Sequence, residues 1–391
     1  MPDAFIVSAV RTPIGRSHKG SLVDVDAFDL ARVAVKAAIE RSGIDPAMLD
    51  DLILAESLQG GGVIARHTAL RLGLPHLPGL ADNRHCAAGL SAIQIGASSI
   101  KAGMDHALVA GGTESLSSMP KVLKSIPASS SNFEEWMSPS HPQTPDAPSY
   151  DMSITVGENT ARIAGVSRAE ADAWAYHSHQ RAASAVREGR FVDEIVAVTV
   201  PDGPGESRLF DTDEQPRPDT TIERLAALPT LHPELDGATV TAGNSAGLND
   251  AAAAVVITSS SFSAAHGVPP LARLLSWASI GVEPVRTGLA PTLAIPKALD
   301  RANMTLGDVD LFEINEAFCS MAVASTRILG LDPAIVNVNG SGCGLGHPIA
   351  ATGARMVVTM LHELRRRGGT VGCVAMCAGG GMGSALVLEL L

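Results

Sequence analysis

Apolar residues repeat at helical spacing from Asp26 to Ser42, where Ala27, Leu30, Ala31, Ala34, Val35, Ala38 and Ile39 share one face and Gly43 follows as a stop. This pattern predicts an amphipathic helix, preceded by a strand-like run at Ala4-Phe5-Ile6-Val7. From Cys86 to Lys101 small residues predict a second helix, ended by Gly103, and His106 to Ala110 reads as a buried strand running into Gly111-Gly112. The same order of helix, strand and glycine turn recurs near the end of the chain. There His347 opens a helix through Ala354, Val357, Val358, Leu361 and Leu364 to Gly368-Gly369. A strand from Val371 to Met376 then meets Cys377 and three glycines, and Ser384 to Leu390 forms the last strand. Two copies of one α/β unit, presenting Cys86 in the first and His347 in the second at the matching helix start, predict a duplicated fold with its site where the halves meet.

The stretch between the copies has a different character. From Ser117 to Tyr150 the chain is dense in Ser and Pro, including the runs Pro127 to Ser131 and Ser138 to Pro142, which predicts a long surface excursion rather than regular core. Helical patterning returns at Ile154 to Gly165 and at Ser167 to Gly189. In the second of these, Ser167 with Glu170 three residues on makes a capping box. The expected organisation is an N-terminal half over residues 1–117, completed by 245–266, an inserted loop domain over 118–244, and a C-terminal half over 267–391.

Composition narrows the class. At 391 residues the chain is too long for one ordinary core, and with 46% hydrophobic but only 3% aromatic residues that core must be built from Ala, Val, Leu and Ile. The net charge of −12 argues against a nucleic-acid or anionic-membrane surface. Apolar runs fall far short of the ~20 residues that span a bilayer, so no membrane insertion is expected. The chain opens without a basic leader, and a cytoplasmic location is expected. Five cysteines, at 86, 319, 343, 373 and 377, are an odd number without zinc spacing, which suits free thiols in a reducing compartment and no metal.

Three of these surroundings carry chemistry. Cys86 follows Asn83-Arg84-His85, Cys377 precedes Ala378 and three glycines, and His347 lies between Gly346 and Pro348. A thiolate is a strong nucleophile and a thioester a good acyl donor, so two thiols and an imidazole suit acyl transfer through a covalent thioester on coenzyme A esters. Cys319, Cys343 and Cys373 read as packing residues, with Cys343, between Gly342 and Gly344, the one open to oxidation.

Taken together these stretches resemble the thiolase family of acetyl-CoA acyltransferases. The likeness runs collinearly through Val10 to Gly15, Asn83 to Cys86, Gly111 to Ser115 and Gly189 to Phe191. It continues through Thr241 to Asn244, Asn315 to Phe318, Val338 to Gly340, Gly346 to Pro348 and Cys377 to Gly383, and so covers the whole chain. The resemblance implies the thiolase fold: two βαβαβαββ halves in a five-layer α-β-α-β-α sandwich with an inserted loop domain, assembled as a homodimer or homotetramer.

It also implies roles for individual residues. Cys86 would be the acyl-accepting nucleophile and Cys377 the acid/base. His347 with Asn315, the latter through a water, would form one oxyanion hole, and the backbone amides of Cys86 and Gly379 a second. Met152, Arg217, Ala242, Ser245, Ala317 and Phe318 would contact CoA, with no permanently bound cofactor. At a helix N-terminus beside His347, Cys86 is expected to have a lowered pKa, and Cys377 one near the ordinary ~8.5. Two departures stand out: Ala246 occupies the place where relatives carry Ser before Gly247, and Ala350 stands where relatives often have Gly. Asn83-Arg84-x-Cys86 looks like the degradative branch, which cleaves 3-ketoacyl-CoA in β-oxidation. The alternatives are a biosynthetic acetoacetyl-CoA thiolase, a ketosynthase, which Cys377 in place of a second His argues against, and a non-catalytic acyl-CoA carrier.

Overall fold

Strand β1 (Ala4–Arg11) runs down the middle of one continuous sheet in the computed structural model, which describes residues 2–127 and 131–391. The remaining strands are β2 (Asp51–Ala55), β3 (Leu80–Asp82), β4 (Ala107–Ser115), β5 (Asn249–Ser259), β6 (Ala272–Gly281), β7 (Leu311–Ile314), β8 (Val371–Ala378) and β9 (Met382–Leu390). Their order across the sheet is β7-β8-β9-β6-β1-β5-β4-β2-β3, with a short Gly15–Arg16 strand on β5. Read outward from the centre, β6, β9, β8 and β7 on one side mirror β1, β5, β4 and β2 on the other. The halves join through only two residue pairs, Phe5 with Arg273 and Ile6 with Ala272. Within each half the outer pairs are parallel and the inner ones antiparallel.

Helices cover the sheet in layers that its residue alternation dictates. Successive strand residues face opposite sides, so Leu108 and Ala110 of β4 and Val374 and Met376 of β8 enter one core, while Ala107 and Val109, and Cys373 and Ala375, enter others. The shared core lies between the half-sheets and encloses α3 (Ala88–Ala102) and α7 (Ile349–Arg367). One outer core packs α1 (Ala27–Ser42) with α2 (Ile64–Arg71), and the other packs α5 (Pro291–Ala302). The result is the five-layer duplicated α/β sandwich. Burying Val357, Val358, Leu361 and Leu364 contributes ~1.5–3 kcal/mol per side chain, which anchors α7 although Pro348 supplies no side-chain cap.

The middle layer is thin because glycine makes it so. A Cβ on Gly89 of α3 would lie 2.4 Å from the Ala350 carbonyl, and one on Gly353 of α7 would lie 2.4 Å from the Leu90 amide. The two helices therefore touch backbone to backbone near their N-termini, where the functional turns sit.

Two sequence expectations shift at their boundaries. Helix α3 begins at Ala88 and α7 at Ile349, so Cys86 and His347 each stand two residues ahead of a helix rather than at its first turn. The segment expected as one helix from Ile154 begins as a π-helical turn, Ser153–Glu158, before an α-helix at Asn159–Ala164. There Gly157 admits Val240 and the Phe318 ring, which a Cβ would meet at 2.7 and 2.9 Å.

The Ser167 capping box is present at the head of α4 (Arg168–Arg187). The Ser- and Pro-rich excursion is exposed and carries a hairpin, Val122–Ser125 against Phe133–Trp136. Residues 128–130 of its Pro127 to Ser131 run lie outside the described residues. Buried Arg11 ties this middle region to the sheet through paired 2.8 Å bonds to Asp213 and a 2.6 Å bond to Glu194. Removing Arg11 would leave two buried carboxylates uncompensated.

Candidate active site

Cys86 is presented by a tight turn. His85 takes a positive φ of 45°, and its backbone is held by Asn83, whose Oδ1 accepts from the His85 amide at 2.8 Å, and by Ser57, whose hydroxyl donates to the His85 carbonyl at 3.0 Å. The matching turn in the other half uses Gly346, φ 111°, ahead of His347, whose amide donates to Asn249 Oδ1 at 3.0 Å. Cys377 comes from the end of β8, just before the Gly379-Gly380-Gly381 turn.

Cys86, His347, Cys377 and Gly379 line one cavity of about 400 Å³. The amides of Gly379 and of Cys86 itself point at the Cys86 sulfur. Asn315, fully buried, brings its amide nitrogen to 3.4 Å from His347 Nε2. On its other side the imidazole meets Thr352, Nδ1 to Oγ1 at 2.7 Å, and the Thr352 hydroxyl donates to the Pro348 carbonyl at 2.8 Å. That leaves the Thr352 oxygen as acceptor for Nδ1–H and assigns an unprotonated Nε2. Thr352, which positions the imidazole, escaped the sequence reading because nothing in a helical Thr five residues after a His signals such a contact. The Cys377 thiol donates to Met321 Sδ at 3.5 Å, another partner that sequence spacing does not reveal.

Burial reverses two electrostatic expectations. Although part of Cys86 faces the cavity, protein surrounds the sulfur elsewhere, and burial pushes its thiol up to about 11 against the pull of the two amides. Cys377 is held well above the ordinary thiol value, by burial and then by Cys86. Burial, aided by the Arg355 charge, pushes His347 down to about 3. The pKa of Cys86 is thus raised rather than lowered as expected at a helix N-terminus, because Cys86 precedes the helix and desolvation outweighs what its amides supply. The resting site holds two thiols and a neutral imidazole.

Of the residues expected around CoA, Met152, Ala317 and Phe318 line the cavity. Arg217 and Ala242 are exposed outside its lining, and Ser245 turns its hydroxyl to the Thr241 carbonyl at 2.7 Å. Ser245 makes a strand-like bridge with Phe318, so by alternation its neighbour Ala246 faces the cavity instead. Ala350 stays out of the lining, where Ile349 takes the place beside His347. Sequence reasoning missed His85, Ser140, Met137 and Tyr150, contributed by the turn before Cys86 and by the excursion. Cys319, Cys343 and Cys373 are fully buried, Cys343 donating to the Gly243 carbonyl at 3.6 Å.

A cleft that gathers two thiols, an imidazole and convergent amide donors between duplicated half-sheets is the equipment of an acyltransferase working through thioesters. Known proteins agree. The family model for the thiolase N-terminal domain matches residues 4–261 and that for the thiolase C-terminal domain residues 268–390. An acetyl-CoA acetyltransferase of Pseudomonas aeruginosa is 42% identical over 99% of both chains, and a beta-ketoadipyl-CoA thiolase of Acinetobacter baylyi is 40% identical over the full length of both. The crystal structure of human mitochondrial 3-ketoacyl-CoA thiolase in complex with CoA superposes with a TM-score of 0.91 at 35% identity, covering 100% of this chain and 98% of that one. The chain belongs to the thiolase family and is an acyltransferase enzyme.

Proposed function

We propose that this thiolase cleaves 3-ketoacyl-CoA with CoA, giving acetyl-CoA and a shortened acyl-CoA through an acyl group carried on Cys86. The observation that carries this reading is the approach of the Gly379 amide to the Cys86 sulfur in a cavity shared with His347 and Cys377. His347 Nε2 takes the Cys86 proton as the sulfur attacks the substrate's third carbon. With the thiol resting at about 11, transfer and attack are coupled, and negative charge passes to the carbonyl oxygen rather than standing on sulfur. An amide donor aimed at such an oxyanion is typically worth about 2.7–4 kcal/mol.

The bond between the second and third carbons then breaks, its electrons forming the acetyl-CoA enolate, and the Cys377 S–H protonates the second carbon. The Cys377 thiolate left behind takes the proton of incoming CoA, whose sulfur displaces the acyl group from Cys86, and the departing Cys86 sulfur regains its proton from His347. Reversed, the steps are a Claisen condensation. Asn315 supports His347, and Met152, Ala246, Ala317 and Phe318 enclose the pantetheine arm, with Arg217 outside the cavity available to the nucleotide end. CoA is a substrate here, as the CoA complex of the human relative suggests.

The degradative direction is favoured by apolar Leu58, Leu116 and Met137, which offer room for chains longer than four carbons. A second reading, a biosynthetic acetyl-CoA C-acetyltransferase, is favoured by the name of the Pseudomonas relative. Thiolysis rates across acetoacetyl-CoA and six- to ten-carbon 3-ketoacyl-CoAs separate the two, and turnover of the four-carbon ester alone overturns our choice. We further propose a cytoplasmic homo-oligomer, supported by the exposed Leu123, Phe133 and Trp136 of the hairpin. No helix among the described residues is long and apolar enough to cross a membrane.

A further inference from the structure

We propose that His85 is a specificity-determining residue of the acyl cavity, selecting 3-ketoacyl chains that carry an oxygen function over plain hydrocarbon chains. This rests on the thiolase reading above and deepens it by naming a substrate class.

The backbone is the first argument. Position 85 needs a positive φ, which a side chain resists and which glycine serves in the matching turn at Gly346. The fold thus presents its functional residue in one half with no side chain at this place, yet in the other carries an imidazole there. Non-glycine residues in such conformations gather at functional sites.

The ring's surroundings are the second. His85 lines the cavity with Cys86 and Cys377, and a Cβ on Gly379 would lie 3.9 Å from its Cγ, which puts the ring beside the Gly379 turn. Neither ring nitrogen hydrogen-bonds to a described group. Neighbouring His141 is satisfied on both sides, by Ser140 Oγ at 2.8 Å and the Ala147 carbonyl at 2.9 Å. Two other polar groups of the lining are turned to the protein: the Ser57 hydroxyl donates to the His85 carbonyl and the Tyr150 hydroxyl to the Met137 carbonyl at 3.1 Å.

Among the described residues no Lys or Arg lines the cavity, and most of its wall is apolar. Burial, and then His141, holds His85 below the ordinary imidazole value, so it is neutral, with one N–H to donate and one nitrogen to accept. A chain ending in methyl strips the ring of water and returns nothing. A chain bearing a carboxylate, hydroxyl or keto oxygen replaces the lost hydrogen bond, and sites built this way reject the analogue that lacks the group.

The test uses six-carbon substrates matched in length: 3-ketohexanoyl-CoA, 3-ketoadipyl-CoA with a terminal carboxylate, and 6-hydroxy-3-ketohexanoyl-CoA with a neutral oxygen. The full-length enzyme is expected to favour both oxygenated esters in kcat/KM by about 10- to 100-fold. His85→Leu is expected to collapse that ratio without raising KM for CoA. His85→Asn, which tolerates the positive φ and keeps an N–H donor, should retain part of it and decides the matter if His85→Leu does not fold. A hydrocarbon preference in the unmodified enzyme, a preference for the carboxylate alone, an unmoved ratio in the variants, or a change confined to KM for CoA each overturns the proposal. Failure to cleave any of the three esters or acetoacetyl-CoA would instead overturn the thiolase reading itself.

Discussion

The turn ahead of α3 and the turn ahead of α7 solve one geometric problem with opposite chemistry. Each places its functional residue two positions before a helix and just after a residue of positive φ, and each is pressed to the other by glycine contacts in the middle layer. The Cys86 turn is partly open to the cavity, and its sulfur is met by amides. The His347 turn is buried, and its ring is clamped between Thr352 and Asn315. A duplicated scaffold therefore supplies position alone. What differs is the surroundings of each copy: openness at the Cys86 sulfur, which the proposed reaction bonds to substrate, and enclosure at His347, which fixes one tautomer of its ring.

The largest effect that tests this division is removal of the sulfurs. Cys86→Ala is expected to abolish the covalent acyl adduct and lower kcat/KM by at least about 10⁴-fold. Cys377→Ala should still acylate Cys86 but lose about 10²- to 10⁴-fold in turnover. Mass spectrometry of the trapped enzyme distinguishes them, and an adduct persisting in Cys86→Ala would remove the N-terminal turn from the chemistry.

A smaller effect concerns protonation. Since burial lifts Cys86 to about 11, its thiolate fraction grows with alkalinity, and alkylation of the free enzyme by iodoacetamide should climb about tenfold per pH unit from pH 7 to 10. A plateau near pH 8 would mean that the amides and His347 overcome desolvation after all.

The smallest effect probes the seam between the copies. Gly353→Val places a side chain against the Leu90 backbone and is expected to cost ~1–3 kcal/mol of stability by overpacking, read as a lowered midpoint in denaturant unfolding. An unchanged midpoint would show that the helices have room to separate.

Much of this architecture was legible beforehand, because α1, α4, α7 and the buried strands obey local rules: an apolar face at helical spacing, Ser167 as a cap, Gly43 as a stop. The reactive trio was legible too, since Cys and His among glycines are conspicuous and run collinear with a known family. Two things were hidden. The residues that tune the trio, Thr352 and Met321, are ordinary in type and stand outside the motifs, and His85, though it lies within the Asn83 to Cys86 motif, carried no signal of a cavity position. The sign of the thiol shifts was also hidden, because a helix N-terminus is visible in sequence whereas the depth at which a sulfur lies is not.

The order of apolar and polar positions thus determined by itself which segments become helix or strand and that the unit occurs twice, and the motifs around Cys86, His347 and Cys377 marked these three as candidates for the chemistry, for all of this depends on neighbours along the chain. Tertiary structure alone decided that Ala246 rather than Ser245 faces the cavity, that Nε2 of His347 is the bare nitrogen, and that both thiols rest protonated. Those outcomes depend on desolvation and on contacts fixed only in the folded chain, some as near as His347 with Thr352 and others as far as Cys86 with Gly379, once the two half-sheets close on their shared helices.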